Sequence, residues 1–132
     1  MSDVAIEDAQ AAMLQAYAPF SNFKVGAVLV GAGGNRYKGA NIENVSFGLT
    51  MCAERVALGV AHMAGETVFD TLVLVADSQE PIVPCGACRQ VLAEFAPRLR
   101  IVSRTIDGAE AEFRLDELLP LPRQGILDRE AK

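Results

Sequence analysis

Three cysteines occupy two short segments of this 132-residue sequence, Thr50-Met51-Cys52-Ala53-Glu54-Arg55 and, about thirty residues on, Pro84-Cys85-Gly86-Ala87-Cys88-Arg89-Gln90. Cysteines at i and i+3 on the first turn of a helix face the same way, about 5 to 6 Å apart at Cβ. That is within reach of the sulfur spacing a tetrahedral zinc with Zn–S of about 2.3 Å requires. Cys52 supplies a third thiolate beside Cys85 and Cys88. Three protein ligands leave one position open, where a water can lose a proton; a structural zinc is closed by four. Glu54, two residues past Cys52, is the base for that water. Taken alone, Cys85-x-x-Cys88 fits a redox pair or half of a structural zinc site as well. Joined to Cys52-Ala53-Glu54, it points to a catalytic metal. His62, the only histidine, cannot complete a closed site with Cys52, because ten helical residues separate them by about 15 Å along the axis.

Charge and geometry each add an expectation. Zinc with three thiolates carries a formal −1, which opposes ionisation of the water, so a donor must draw charge off the sulfurs. Arg55 is adjacent and offers several N–H groups, and Gln90 is expected to help hold it. On a regular helix Cys52 and Glu54 point about 200° apart. A metal lying beyond the helix end removes the conflict, between the N-termini of one helix starting near Cys52 and another near Cys85. Both dipoles then favour thiolate over thiol.

The surrounding elements must hold those two termini together. Asp3 or Ser2 caps a first helix with Ile6, Ala9, Met13 and Ala16 or Tyr17 on one face, stopped by Pro19. Val25 to Val30 is apolar on both faces, as in a covered strand, and Gly31 to Asn35 turns it into Arg36 to Ala40. Met51 to Ala64 reads as a helix with Thr50 as N-cap and Gly65 as its stop. Being apolar nearly all round, it belongs in the middle of the molecule or at a subunit contact. A strand from Phe69 to Ala76, a helix from about Cys85 to Phe95, strands at Ile101 to Ser103 and Ala111 to Leu115, and a last turn at Asp116 to Leu119 follow. The alternation predicts a single α/β domain over residues 1–132, a three-layer α/β/α arrangement with a mixed, roughly five-stranded sheet.

Composition narrows the partners. A net charge of −5 and a pI near 4.8 argue against nucleic acid, whose binding leans on Lys and Arg. A small uncharged substrate is expected instead. Neither a signal peptide nor a membrane-crossing run is found. Three cysteines spent on a metal leave none for a disulfide, which fits a reducing cytoplasm.

Beyond the cysteines, Tyr17-Ala18-Pro19-Phe20-Ser21-Asn22-Phe23-Lys24-Val25-Gly26-Ala27, Asn41-Ile42-Glu43-Asn44 and Leu118-Leu119-Pro120 stand in order with the two metal segments. The ordered set resembles the small zinc-dependent cytidine deaminases of the three-cysteine branch, over roughly residues 5 to 120. The resemblance implies one Zn²⁺ per subunit and hydrolysis of cytidine and deoxycytidine to uridine and deoxyuridine plus ammonia, as in pyrimidine salvage. It implies a proton-carrying Glu54, sugar hydroxyls bound by Asn41 and Glu43, Phe23 packed on the base, and backbone contacts from Ala53 to the pyrimidine edge. Arg55 is the family residue that tempers the thiolates. A homotetramer is also implied, with Phe47 at a subunit boundary and pockets completed by neighbours. Two other readings stand beside it, a deaminase of a modified cytosine nucleoside such as blasticidin S and a non-catalytic zinc-stabilised binding module. One departure is notable: family members often carry an aromatic residue after Leu-Leu-Pro, and here none follows Phe113.

Overall fold

The structure is a computed structural model and describes residues 3–122. The elements follow in the order α1 (Asp3–Met13), β1 (Val25–Gly31), β2 (Arg36–Ala40), a 3-10 turn (Phe47–Leu49), α2 (Ala53–Met63), β3 (Phe69–Ala76), α3 (Gly86–Phe95), β4 (Arg100–Thr105), β5 (Glu110–Arg114) and α4 (Leu115–Leu118). The five strands form one sheet in the order β2-β1-β3-β4-β5. Only β3 and β4 are parallel, and α3 makes the crossover between them; the other neighbours are antiparallel. The sheet is therefore mixed, as expected, but β3 rejoins β1 antiparallel after α2, so a single parallel pair suffices.

Strands β1 and β3 are apolar on both faces because both faces are covered. Val28, Val73, Val75 and Val102 meet Ala5, Ile6 and Ala9 of α1 on one side. Ala27, Leu29, Leu72, Leu74 and Ile101 meet Ala53, Ala57, Ala61, Leu92 and Ala93 of α2 and α3 on the other. Each fully buried large aliphatic side chain there contributes about 1.5–3 kcal/mol. This is the three-layer α/β/α arrangement. The alanines of α2 recur every four residues, leaving a flat stripe that brings the helix backbone onto β2. At Gly39 a Cβ would lie 2.5 Å from the Ala53 carbonyl oxygen and closer still to the Ala57 nitrogen.

Strand β4 runs Arg100–Thr105, longer than the expected Ile101 to Ser103, and Leu115 opens α4 instead of closing β5; two helix boundaries differ for a clear physical reason. Helix α1 ends at Met13 instead of continuing to Tyr17, whose N–H is captured by the Asn41 carbonyl at 2.9 Å while its own carbonyl accepts from Glu43 N at 2.8 Å. Helix α2 begins at Ala53 with Cys52 as N-cap, so Thr50 is not the cap. Met51 is held in an antiparallel bridge with Ile42, each N–H donating to the other's carbonyl at 2.9 Å. A pairing formed across the chain overrides the local cap preference in both cases. Ser2 as an alternative first cap, and the tail from residue 123, lie outside the described residues.

Candidate metal centre and its cavity

The three sulfurs converge. Cys52 and Cys85 are the N-cap residues of α2 and α3, both extended, and neither makes a side-chain capping bond, so both thiols are available. Cys88 follows on the first turn of α3 and is fully buried. All three Sγ atoms lie within 4.8 Å of one another, and Cys52 and Cys85 are 3.8 Å apart. A tetrahedral zinc with Zn–S of about 2.3 Å needs about 3.8 Å between sulfurs. The angular conflict between Cys52 and Glu54 does not arise, because Cys52 stands outside the helix and Glu54 within its first turn.

Electrostatics favour a cation at this point. Burial, followed by the charge of Glu54, pushes the Cys88 thiol well above the ordinary cysteine range. Burial likewise raises Cys52, against a hydrogen bond from Arg55. Cys85 alone is lowered: burial acts against ionisation there, and hydrogen bonds from the Cys88 backbone and from the neighbouring thiols outweigh it. A clustered trio of which two members resist carrying charge becomes a thiolate trio when a divalent cation neutralises it. The donor set and spacing fit zinc, and the termini of α2 and α3 add their positive ends.

A cavity of about 320 Å³ opens beside the sulfurs. Cys52, Cys85, Glu54, Ala53, Phe23, Asn41 and Glu43 all line it, with Phe47, Ser21, Val25, Thr50, Ile82 and Val83. Its walls are predominantly apolar with a few placed polar groups, the usual form of a small-molecule site. Glu54 is buried, 5 % exposed, and burial raises its pKa, with its own backbone N–H and Arg55 acting in the opposite direction. A buried carboxyl held on the wall of the cavity beside the sulfurs is placed for acid–base work.

Asn41 and Glu43 are already engaged in building the wall. Asn41 Nδ2 donates to the Phe23 carbonyl at 2.8 Å and its Oδ1 accepts from Val25 N at 2.9 Å. Glu43 Oε1 accepts from the backbone of Phe20 at 3.0 Å and of Ser21 at 3.1 Å, while Oε2 accepts from the Ser21 hydroxyl. The Ser21 hydroxyl first, and the two amides with it, hold the Glu43 carboxyl below its ordinary value against the effect of burial. Arg55 reaches the cluster, with Nη2 3.7 Å from Cys52 Sγ and 3.2 Å from the Thr50 carbonyl. Gln90 is turned elsewhere: its amide donates to the Pro122 carbonyl at 3.0 Å and not toward Arg55. The residue that braces the loop before Cys85 is Arg89, whose Nε donates to the Pro84 carbonyl at 2.8 Å. His62 is exposed on α2, its ring 6.1 Å from that of Phe95.

Sequence reasoning missed Ser21, Ile82 and Val83 as cavity residues. Ser21 stands within the Pro19 to Phe23 segment that carried the resemblance, but its reach to Glu43, 22 positions away, has no local signature. Ile82 and Val83 belong to a loop without periodicity.

Fold and centre together define a metal-binding α/β domain whose three cysteines would hold a zinc between two helix N-termini, at the carboxyl end of the parallel strand β3 where α/β sheets place their ligands. The family model described as the cytidine and deoxycytidylate deaminase zinc-binding region matches residues 2–103. Cytidine deaminase of Halalkalibacterium halodurans is 45% identical over 116 residues, 87% of this chain and 88% of that protein. A probable cytidine deaminase of Dictyostelium discoideum is 43% identical over 116 residues, 87% of this chain and 78% of its own. Among solved structures, cytidine deaminase from Burkholderia pseudomallei superposes with a TM-score of 0.87 at 45% identity, covering 91% of this chain and 97% of that one. The Mycobacterium tuberculosis enzyme gives 0.77 at 36%, covering 89% and 93%. The chain belongs to the zinc-dependent cytidine deaminase family.

Proposed function

We propose that the cavity hydrolyses the 4-amino group of cytidine and deoxycytidine, with Glu54 carrying the protons. Carbon C4 gains the oxygen of water and loses its amine, so uridine or deoxyuridine and ammonia are formed. Zinc, when bound by Cys52, Cys85 and Cys88, supplies the Lewis-acid charge that makes a water acidic near neutral pH. Glu54 takes that proton and delivers it to N3 of the ring as C4 is attacked; it then takes the second proton, from the new C4 hydroxyl, and gives it to the amine, which leaves as ammonia with C4 a carbonyl and N3 protonated. The reading is carried by one observation: a buried carboxyl with a raised pKa lines the same cavity as the clustered cysteines.

Around it, Phe23 packs on the base, Ala53 offers backbone contacts to the pyrimidine edge, and Asn41 and Glu43 accept hydroxyls of the sugar. All four lie on the cavity wall, and the acceptors left on Glu43 and Asn41 favour a sugar-bearing substrate. Arg55 tempers the thiolates from the Cys52 side, whereas Gln90 ties down the Pro122 segment. The substrate is a free nucleoside, not nucleic acid, in keeping with the net charge of −5. The enzyme serves pyrimidine salvage as one domain in the cytoplasm, and no helix of the described residues is long and apolar enough to cross a membrane. It acts as a homotetramer. Support comes from Val45, Phe47 and Leu49, which stand 85%, 64% and 68% exposed beside the cavity and need a covering surface.

The test is the loss of cytidine absorbance with the native chain and with Glu54→Gln, each loaded with one zinc. The native protein is expected to turn cytidine over, and the variant to be slower by about 10³-fold while retaining its metal. A variant within tenfold of native activity overturns the role of Glu54, and a zinc-loaded native protein inert toward both nucleosides overturns the reaction.

A further inference from the structure

Glu43 has more bonds to protein than a residue free to receive a sugar would be expected to carry, and the source of those bonds is Ser21. A carboxylate offers about four acceptor sites. Three are filled: Oε1 by the N–H groups of Phe20 and Ser21, and one site of Oε2 by the Ser21 hydroxyl. The hydroxyl is held from two sides: Ser21 Oγ accepts from Phe23 N at 3.0 Å and donates its single proton to Glu43 Oε2. What remains is one acceptor site on Oε2, on the wall of the cavity. Asn22, between Ser21 and Phe23, takes a positive φ of 58°, which turns the backbone where the Phe23 N–H reaches back to Ser21 Oγ.

We infer that Ser21 is the positioning residue of the sugar wall: its hydroxyl locks the Glu43 carboxylate in one orientation and leaves a single acceptor aimed at a sugar hydroxyl. The inference rests on Glu43 as the acceptor of that hydroxyl. Without the Ser21 hydroxyl, Oε2 has two unfilled sites, water takes them, and the carboxylate loses the torsional restraint on that oxygen. The base-binding side keeps a tie of its own: Phe23 N loses its bond to the Ser21 hydroxyl, but the Phe23 carbonyl still accepts from Asn41 Nδ2 at 2.8 Å. Ser21 is itself exposed, so replacing it removes a hydroxyl from the surface without opening a cavity in the core.

The experiment compares Ser21→Ala, Ser21→Thr and the native holoenzyme on cytidine and on 2′,3′-dideoxycytidine, which keeps the base and lacks both ring hydroxyls. The native enzyme is expected to prefer cytidine. Ser21→Ala is expected to lower kcat/KM for cytidine by about tenfold, through KM with kcat held within about twofold, and to change kcat/KM for the dideoxynucleoside by less than about twofold. Ser21→Thr, which restores a hydroxyl, is expected to recover the preference. Equal losses on both substrates, or a loss confined to kcat, overturn the role of Ser21 while leaving Glu43 as the sugar ligand. A native enzyme indifferent to the hydroxyls overturns the Glu43 reading, and the inference with it.

Discussion

Glycine 39 carries no chemistry, yet replacing it with alanine is expected to disable the catalytic centre. The added Cβ would stand 2.5 Å from the Ala53 carbonyl oxygen, and ordinary contact begins near 3.4 Å, so α2 must retreat from β2 by about 0.9 Å at its first turn. That turn holds Ala53 and Glu54 and follows directly on Cys52, while Cys85 and Cys88 ride on α3 and do not move with it. Overpacking of this kind costs about 1–3 kcal/mol of stability. A misplacement of about 1 Å between reacting groups costs about 10²-fold in rate. Gly26→Ala is the control. Its Cβ would collide with the Ala9 carbonyl oxygen and lie 2.7 Å from Met13 N on α1, across the sheet from the metal centre. Both variants are expected to melt several degrees below the native chain, but only Gly39→Ala to lose about 10²-fold in kcat per bound zinc. Paired melting curves and metal-normalised rates decide it. Equal kcat in the two variants would refute the claim that contact between α2 and β2 sets the position of Glu54.

Arg55→Ala is expected to lower kcat/KM by about 10- to 100-fold, the usual cost of losing a partner of a metal ligand, with zinc still bound; unchanged rates would remove Arg55 from the mechanism. For Glu43, whose pKa is lowered mainly by the Ser21 hydroxyl from an ordinary 4.5, the sign follows from linkage. A lowered folded-state value stabilises the fold above the ordinary value, and the effect is lost as pH falls below 4.5 and through the lower native value. The gap in melting temperature between the native chain and Glu43→Gln is therefore expected to be constant at neutral pH and to shrink below about pH 4.5. A gap that widens on acidification would contradict the bonding at Glu43.

What was legible in the sequence, and what was not, divides along physical lines. Strands β1 and β3 announced themselves because a strand covered on both sides has no polar face to interrupt the apolar run. The metal segments were legible because cysteine at i and i+3 after a proline is a statement about one helical turn. The end of α1 and the start of α2 were not, since Thr50 is the better intrinsic cap and only the bridge between Ile42 and Met51 pulls the chain straight to Cys52. The bond from Gln90 to the Pro122 carbonyl was not legible, because proximity in sequence to Cys88 says nothing about where a long side chain turns, and Pro122 is 32 positions away. Ser21 was overlooked for the same reason: its partner is set by the fold.

Zinc-edge X-ray absorption of the purified chain tests the central claim most directly, since it counts the atoms around the metal. Cys52, Cys85 and Cys88 with one open position predict a single zinc bearing three sulfurs at about 2.3 Å and one lighter atom at about 2.0 Å. A shell of four sulfurs, a shell of two, or a chain that binds no zinc would contradict it.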